Sequence, residues 1–161
     1  MDIKFTNKQK AILLTIIIIT FFIFTIIIPL VSLYLIPQSK IGSWLFANIY
    51  LVYCMFPVLI YFIYTGVYFY HVKIDAYIIS ITSFRTVSSF FTNKSYLDIS
   101  HLMLEDYKFI SKKFSLNTIL MLKIRTERKL IAKRFNLSLL SNNDKNLISN
   151  YLDKVIKNKE C

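Results

Sequence analysis

Residues 11 to 36, AILLTIIIITFFIFTIIIPLVSLYLI, contain no charged side chain. Between Lys10 and Lys40 run 29 residues without a charge, and between Lys40 and Lys73 another 32, of which only His71 titrates near neutrality. Each run exceeds the roughly 20 apolar residues that a helix needs to cross the hydrocarbon core. A helix apolar around its whole circumference needs lipid or a large protein interior, and 161 residues are too few to enclose two such helices. Two transmembrane helices are therefore predicted, at about 11–36 and 44–70. Isolated strands are excluded because lipid would leave their backbone groups unsatisfied. The first run is also longer than the roughly 7 to 15 apolar residues of a secretory signal. At 1.5 Å per residue its helix measures about 39 Å, so it tilts or extends into the headgroups.

The second run carries a finer pattern. Tyr50, Tyr53, Tyr61, Tyr64 and Tyr68, with Pro57 filling the remaining step, recur at helical spacing and fall within one narrow arc. Lipid offers phenols no acceptors, so this face is a candidate helix interface. Its expected partner is the first span, where Thr25 and Ser32 lie seven residues apart, or else a second copy or another membrane protein. Trp44, Tyr34, Tyr68 and Tyr70 near the span ends suit the headgroup level. Pro29 and Pro57 are expected to bend their helices.

Beyond the spans the period changes. Leu120, Leu122 and Ile124 alternate with Met121, Lys123 and Arg125, the pattern of a half-buried strand. Thr126 to Lys129 forms a turn into a second strand over Leu130 to Leu137. Val72 to Thr82 reads as one strand, with weaker ones near Phe84–Phe91, Tyr96–Ile99 and Tyr107–Ile110. Ser141, Asn142 and Asn143 offer N-caps to a terminal helix at about 143–157. Its apolar stripe is Leu147, Ile148, Tyr151, Leu152, Val155 and Ile156, and Lys154, Lys157 and Lys159 suit its last turn. The chain thus divides into 1–71, a basic N-terminal segment with two membrane helices, and 72–161, a small cytoplasmic domain.

Charge sets the orientation. The net charge is +11, and 16 of the 20 Lys and Arg follow the second span, whereas the connection between spans has Lys40 alone. The positive-inside rule then places both termini in the cytoplasm of a multi-pass protein of the bacterial inner membrane. The short outer connection argues against a receptor, and the lack of ionisable residues at depth argues against a pore or pump. Cys54 lies mid-span and Cys161 ends the chain, so no disulfide joins them, and the terminal Asn158-Lys159-Glu160-Cys161 is not a prenylation box.

Two spans leading into short strands, a hairpin, the stretch Arg134-Phe135-Asn136-Leu137-Ser138-Leu139-Leu140-Ser141 and one closing helix resemble the bacterial pleckstrin-homology-like (PH-like) domains fused to membrane helices. The resemblance covers residues 72 to 157 by pattern and order, without a signature peptide. It implies a bent antiparallel sheet of about seven strands closed by the C-terminal helix, an all-β or α+β fold, with binding rather than catalysis as its role. The domain departs from β-rich habit in having neither Gly nor Pro, so its turns rely on Asn, Asp, Ser and Lys.

The basic residues Lys112, Lys113, Lys123, Arg125, Arg128, Lys129, Lys133 and Arg134 concentrate in this domain. Tethered beside an anionic leaflet, each is worth about 1 kcal/mol of attraction. They are candidate lipid- or partner-binding residues, or serve only orientation and solubility. A basic patch without a recognised motif does not point to nucleic acid. His101 with Asp98, Glu105 and Asp106 is too sparse for a catalytic or metal site, and Gly42 and Gly66 cannot build a phosphate loop. No cofactor is expected. The favoured function is a membrane interaction module, an accessory subunit of a membrane assembly whose partners are anionic lipid, another membrane protein or a second copy. The alternative is an immunity-type protein that shields the membrane from a toxin. Catalysis is the reading set aside.

Overall fold

The computed structural model describes residues 3–35, 38, 40–86, 94–111, 115–126 and 129–160. It divides into two units, Met1–Ile12 with Val67–Cys161, and Leu13–Gly66.

The first unit begins ahead of the apolar helices. Strand β1 (Ile3–Thr6) alternates Ile, Lys, Phe and Thr, and pairs antiparallel with β2 (Tyr68–Ile74), Ile3 opposite Ile74 and Thr6 opposite His71. With β3 (Ile78–Arg85) and β4 (Ser95–Ser100) these make an antiparallel sheet in the order β1-β2-β3-β4. A 3₁₀ turn, His101–Met103, leads to the second sheet, β5-β6-β7, built from Leu104–Ser111, Asn117–Arg125 and Leu130–Ser138. Helix α5 (Asn142–Glu160) follows. The two sheets and the helix share one core, to which Val72, Ile74, Ile79 and Ile81 come from the first sheet. Leu120, Leu122, Ile124, Phe135 and Leu137 come from the second, and Ile148 and Leu152 from α5. Each fully buried aliphatic or aromatic side chain contributes about 1.5 to 3 kcal/mol.

Ser141 caps α5 as the sequence predicts, its Oγ accepting from the Asp144 amide at 3.0 Å. The stripe is right except at Leu147, which is exposed. Leu139 sits at φ 56°, a left-handed conformation costly for a Cβ-bearing residue. A bond from its amide to the Leu116 carbonyl (3.0 Å) accompanies that geometry.

The expectation that residues 1–7 only precede a span misses β1. Four residues are too short to show a period, and their partner strand lies more than 60 positions away. Val72–Thr82 is not one strand either. The Asp75 amide donates to the Ile78 carbonyl at 2.9 Å, so the stretch turns back as the β2–β3 hairpin. Lys73 reaches Asp75 at 2.5 Å beside that turn. Tyr68 and Tyr70, predicted at the end of a membrane helix, stand on β2, and Tyr70 is 2% exposed in the core.

In the helical unit, α1 (Lys8–Phe22), a π-helical turn (Ile23–Ile27) and α2 (Ile28–Tyr34) follow without a break. Pro29 lacks an amide hydrogen, and the wider turn lies directly ahead of it, as expected where a regular bond is lost. Lys8–Ser32 is long and apolar enough to cross a membrane. The second predicted span is not a single helix. It is α3 (Lys40–Ala47) and α4 (Ile49–Thr65), which reach that standard only as a pair and are bent by 76°. The bend is at Asn48, and Pro57 lies inside α4. Asn48 has φ −119° and ψ 30°, and its side-chain amide donates to the Trp44 carbonyl at 2.9 Å, the local competition with helix bonding typical of Asn. Helix α4 stops at Gly66, whose φ of 66° and ψ of 157° suit only glycine.

Candidate anion-binding face

The predicted cations fall into three groups. Lys112, Lys113 and Arg128 lie outside the described residues. Lys123 and Arg125 are already engaged. A register shift between Leu104 and Asp106 bulges β5, so that the consecutive acids Glu105 and Asp106 both reach the outer face of β6. Asp106 binds Lys123 at 2.8 Å and Glu105 pairs with Arg125. The hydrogen bond from Lys123 is the main reason why the Asp106 carboxyl is held below the usual carboxylate range, and Asp106 likewise raises Lys123.

Lys129, Lys133 and Arg134 remain, without an acidic partner among the described residues. They lie at or near the start of β7, which is unlike its end. Leu130 to Arg134 are all exposed, whereas Phe135, Leu137 and Ser138 are buried. The end of β7 is stitched to the first sheet. Ser83 Oγ donates to the Asn136 carbonyl at 2.7 Å, Asn7 Nδ2 to the Ser138 carbonyl at 2.9 Å, and the Tyr68 amide to Ser138 Oγ at 2.7 Å. The start of β7 has β6 on one side and is the other sheet's edge strand. Ile131 lies opposite Ile124 and Lys133 opposite Leu122, hence on the core-side face. Yet Ile131 is 44% exposed where Ile124 is 5%. The core ends before the strand does.

A second polar site lies where the chain enters and leaves the helices. Asn7 is 3% exposed. Its Nδ2 donates to the carbonyls of Tyr68 (2.8 Å) and Ser138 (2.9 Å), and its Oδ1 accepts from the Tyr70 amide (2.9 Å). Its own carbonyl accepts from Ala11 at 2.8 Å, the first turn of α1. Burial, with Asp144 nearby, pushes the Tyr70 phenol up to about 12. This network ties the start of α1 to β2 and to the end of β7, and serves as a clamp.

His101 joins the β4–β5 connection to the β2–β3 turn through its amide, which donates to the Tyr77 carbonyl at 3.0 Å. Its Nε2 is buried with no hydrogen-bond partner among the described residues. Burial holds the imidazole below its ordinary range, against a backbone contact with Asp75 that raises it. Among the described residues no three of His, Cys, Asp and Glu converge to hold a metal.

The tyrosine ladder is divided. Tyr50, Tyr53, Tyr61 and Tyr64 are exposed along α4, and Tyr68 belongs to β2. The first helix meets α4 on the other side. Thr25 Oγ1 approaches Met55 Sδ at 3.9 Å, and Leu59, one turn further, is buried. At 100° per residue Met55 and Leu59 lie roughly 180° from the tyrosines. The expected packing of this face on the first span therefore does not occur. Ile16, Ile17, Phe21, Phe24 and Met55 line an open apolar cleft of about 440 Å³ along the same seam.

Comparison with known protein families, curated proteins and solved structures finds no match to this chain.

Proposed function

We propose that this chain is a membrane-anchored binding module whose cytoplasmic PH-like domain engages an anionic partner through the free half of β7. One observation carries the reading. Among the described residues Lys129, Lys133 and Arg134 have no acidic partner, beside exposed Leu130 and Ile131 on a strand that outruns its core, while Lys123 and Arg125 are neutralised by neighbouring acids. Cations left exposed next to apolar surface form a recognition face more readily than a merely solvating one.

Among the described residues, seven antiparallel strands in sheets of four and three, β1 ahead of the apolar helices and β2 to β7 after them, and one closing helix support the PH-like reading. Anchoring is supported by Lys8–Ser32, which is long and apolar enough to cross a membrane, and the bent pair of α3 and α4 supplies the second crossing of this proposal, which returns the chain to the cytoplasmic side. These helices lie in the β1–β2 connection, so the domain is closed by strands from both sides of its anchor. The tyrosine face of α4, whose rings are exposed, is the surface this proposal offers to a second copy or to another membrane protein.

The test uses the full chain in nanodiscs of zwitterionic lipid. Polyglutamate and anionic vesicles serve as separate probes at rising salt. Salt-sensitive binding to either, lost in K129E/K133E/R134E and retained in K123Q/R125Q, supports the reading. Equal binding by both variants overturns it. Extraction of the chain by alkaline carbonate would remove the anchor.

A further inference from the structure

The open edge of β7 has a backbone pattern as well as charge. In an antiparallel ladder the N–H and C=O of one residue point to the same neighbour, and those of the next residue point the opposite way. The carbonyls of Asn136 and Ser138 point away from β6, since Ser83 and Asn7 cap them. By the same alternation Leu130, Ala132 and Arg134 direct their backbone groups to the open side. Among the described residues those groups face no neighbouring strand, which leaves a place for another strand.

We propose that the anionic partner is an extended acidic peptide that adds to β7 as an antiparallel strand. The proposal rests on the anion-binding reading and narrows it. Side chains along the edge specify the peptide. Lys133 and Arg134, adjacent and on opposite faces, take two consecutive acids. Leu130 and Ile131, two to four positions away, take two consecutive apolar residues. Ile131 and Lys133 sit on the core-side face where the core has ended, so an added strand covers an isoleucine now 44% exposed. Main-chain bonds supply affinity and the alternating side chains supply selection. A membrane surface accounts for the charge but makes no use of the three outward backbone positions.

The probe is the peptide Thr-Glu-Glu-Thr-Val-Val-Thr, labelled at its N-terminus, with the full chain in zwitterionic nanodiscs. Antiparallel pairing sets the first Glu opposite Arg134, the middle Thr opposite Ala132 and the second Val opposite Leu130. N-methylation at those three positions removes the peptide's amide donors to β7 and sets a methyl group against that edge, while side-chain charge stays intact. N-methylation of the second Glu and the first Val alters only the far edge. We expect the first modification to weaken binding about tenfold or more and the second to leave it within about twofold. A132P on the protein removes an edge amide that β6 does not use and is expected to match the first modification. Equal weakening by both modifications, or by neither, overturns strand addition while the anion-binding reading stands. Failure of the peptide to bind, with anionic vesicles bound in a manner lost in K129E/K133E/R134E, assigns the face to lipid and also overturns it. If peptide and vesicles both fail to distinguish wild type from that triple variant, the anion-binding reading falls as well.

Discussion

Asn7 and Tyr68 stand 61 positions apart in the chain, yet the side-chain amide of one donates to the backbone carbonyl of the other at 2.8 Å. The bond joins the residue before α1 to β2, the strand that follows α4. With the bonds to Ser138 and Tyr70, it satisfies an asparagine that is almost fully buried.

Replacing Asn7 tests that clamp. Asn7→Ala leaves two carbonyls and one amide in the interior without a partner, at a cost on the order of 2 to 4 kcal/mol. Asn7→Asp keeps the shape but turns an acceptor toward two carbonyl oxygens, so it is expected to be at least as damaging. Thermal unfolding of the full chain in detergent reads both. A melting temperature equal to wild type for both variants would show that the clamp does not support the domain.

His101 predicts a pH dependence. Its imidazole titrates below its ordinary value in the folded chain, so the unfolded chain binds the proton more readily. Stability attached to this group is complete above the unfolded value of 6.5 and declines as the pH falls below it. His101→Gln should flatten the stability profile below about pH 6.5. The test is denaturant unfolding at several pH values, and an unchanged slope in the variant would refute the assignment. Tyr70 acts at the other extreme. Its phenol is raised from 10.0 to about 12, so its contribution is complete below pH 10.0 and is lost as the pH rises through that interval.

The ion pairs on β5 and β6 separate structural from recognition charge. Lys123→Gln or Arg125→Gln is expected to change stability by under about 1 kcal/mol, as for exposed pairs. Each should barely alter binding of acidic probes, because its charge is already matched by Asp106 or Glu105. Lys133→Glu and Arg134→Glu should each weaken binding severalfold and flatten its salt dependence. Fluorescence anisotropy against salt concentration checks the order. Larger losses from Lys123 or Arg125 would move the face to the end of β6.

For the helical unit, Y53F/Y61F/Y64F should leave the melting temperature of the isolated chain within about a degree, since these rings are exposed and removal of a surface hydroxyl is usually close to neutral. Cross-linking in membranes should change if the face meets a second copy. A marked loss of stability in the isolated chain would instead mean that the tyrosines pack within it.

Much of the fold was legible from local pattern. The period of two in Leu120, Leu122 and Ile124 identifies β6 and its buried face, and Ser141 with Asp144 announces the start of α5. The apolar run after Lys8 identifies a helix because its length exceeds anything a small core encloses. The hairpin of β6 and β7 follows from one alternating run, a short polar gap and a second apolar run over Leu130 to Leu137.

Other features had no local signal. Ile3–Thr6 is too short to show a period, and becomes a strand only because β2 offers an edge to it. Nothing in the chain distinguishes Lys123 from Lys133. The bulge at β5 sets an acid beside the first, while the early end of the core leaves the second bare. Composition and period determined by themselves the apolar helices, the alternating strands and the basic excess, because each depends on residues within a turn or two of one another. Tertiary structure alone decided which strand completes the sheet, which tyrosines leave the helix, and which cations are neutralised. Those outcomes depend on pairing between residues distant in sequence, where geometry rather than residue type selects the partner.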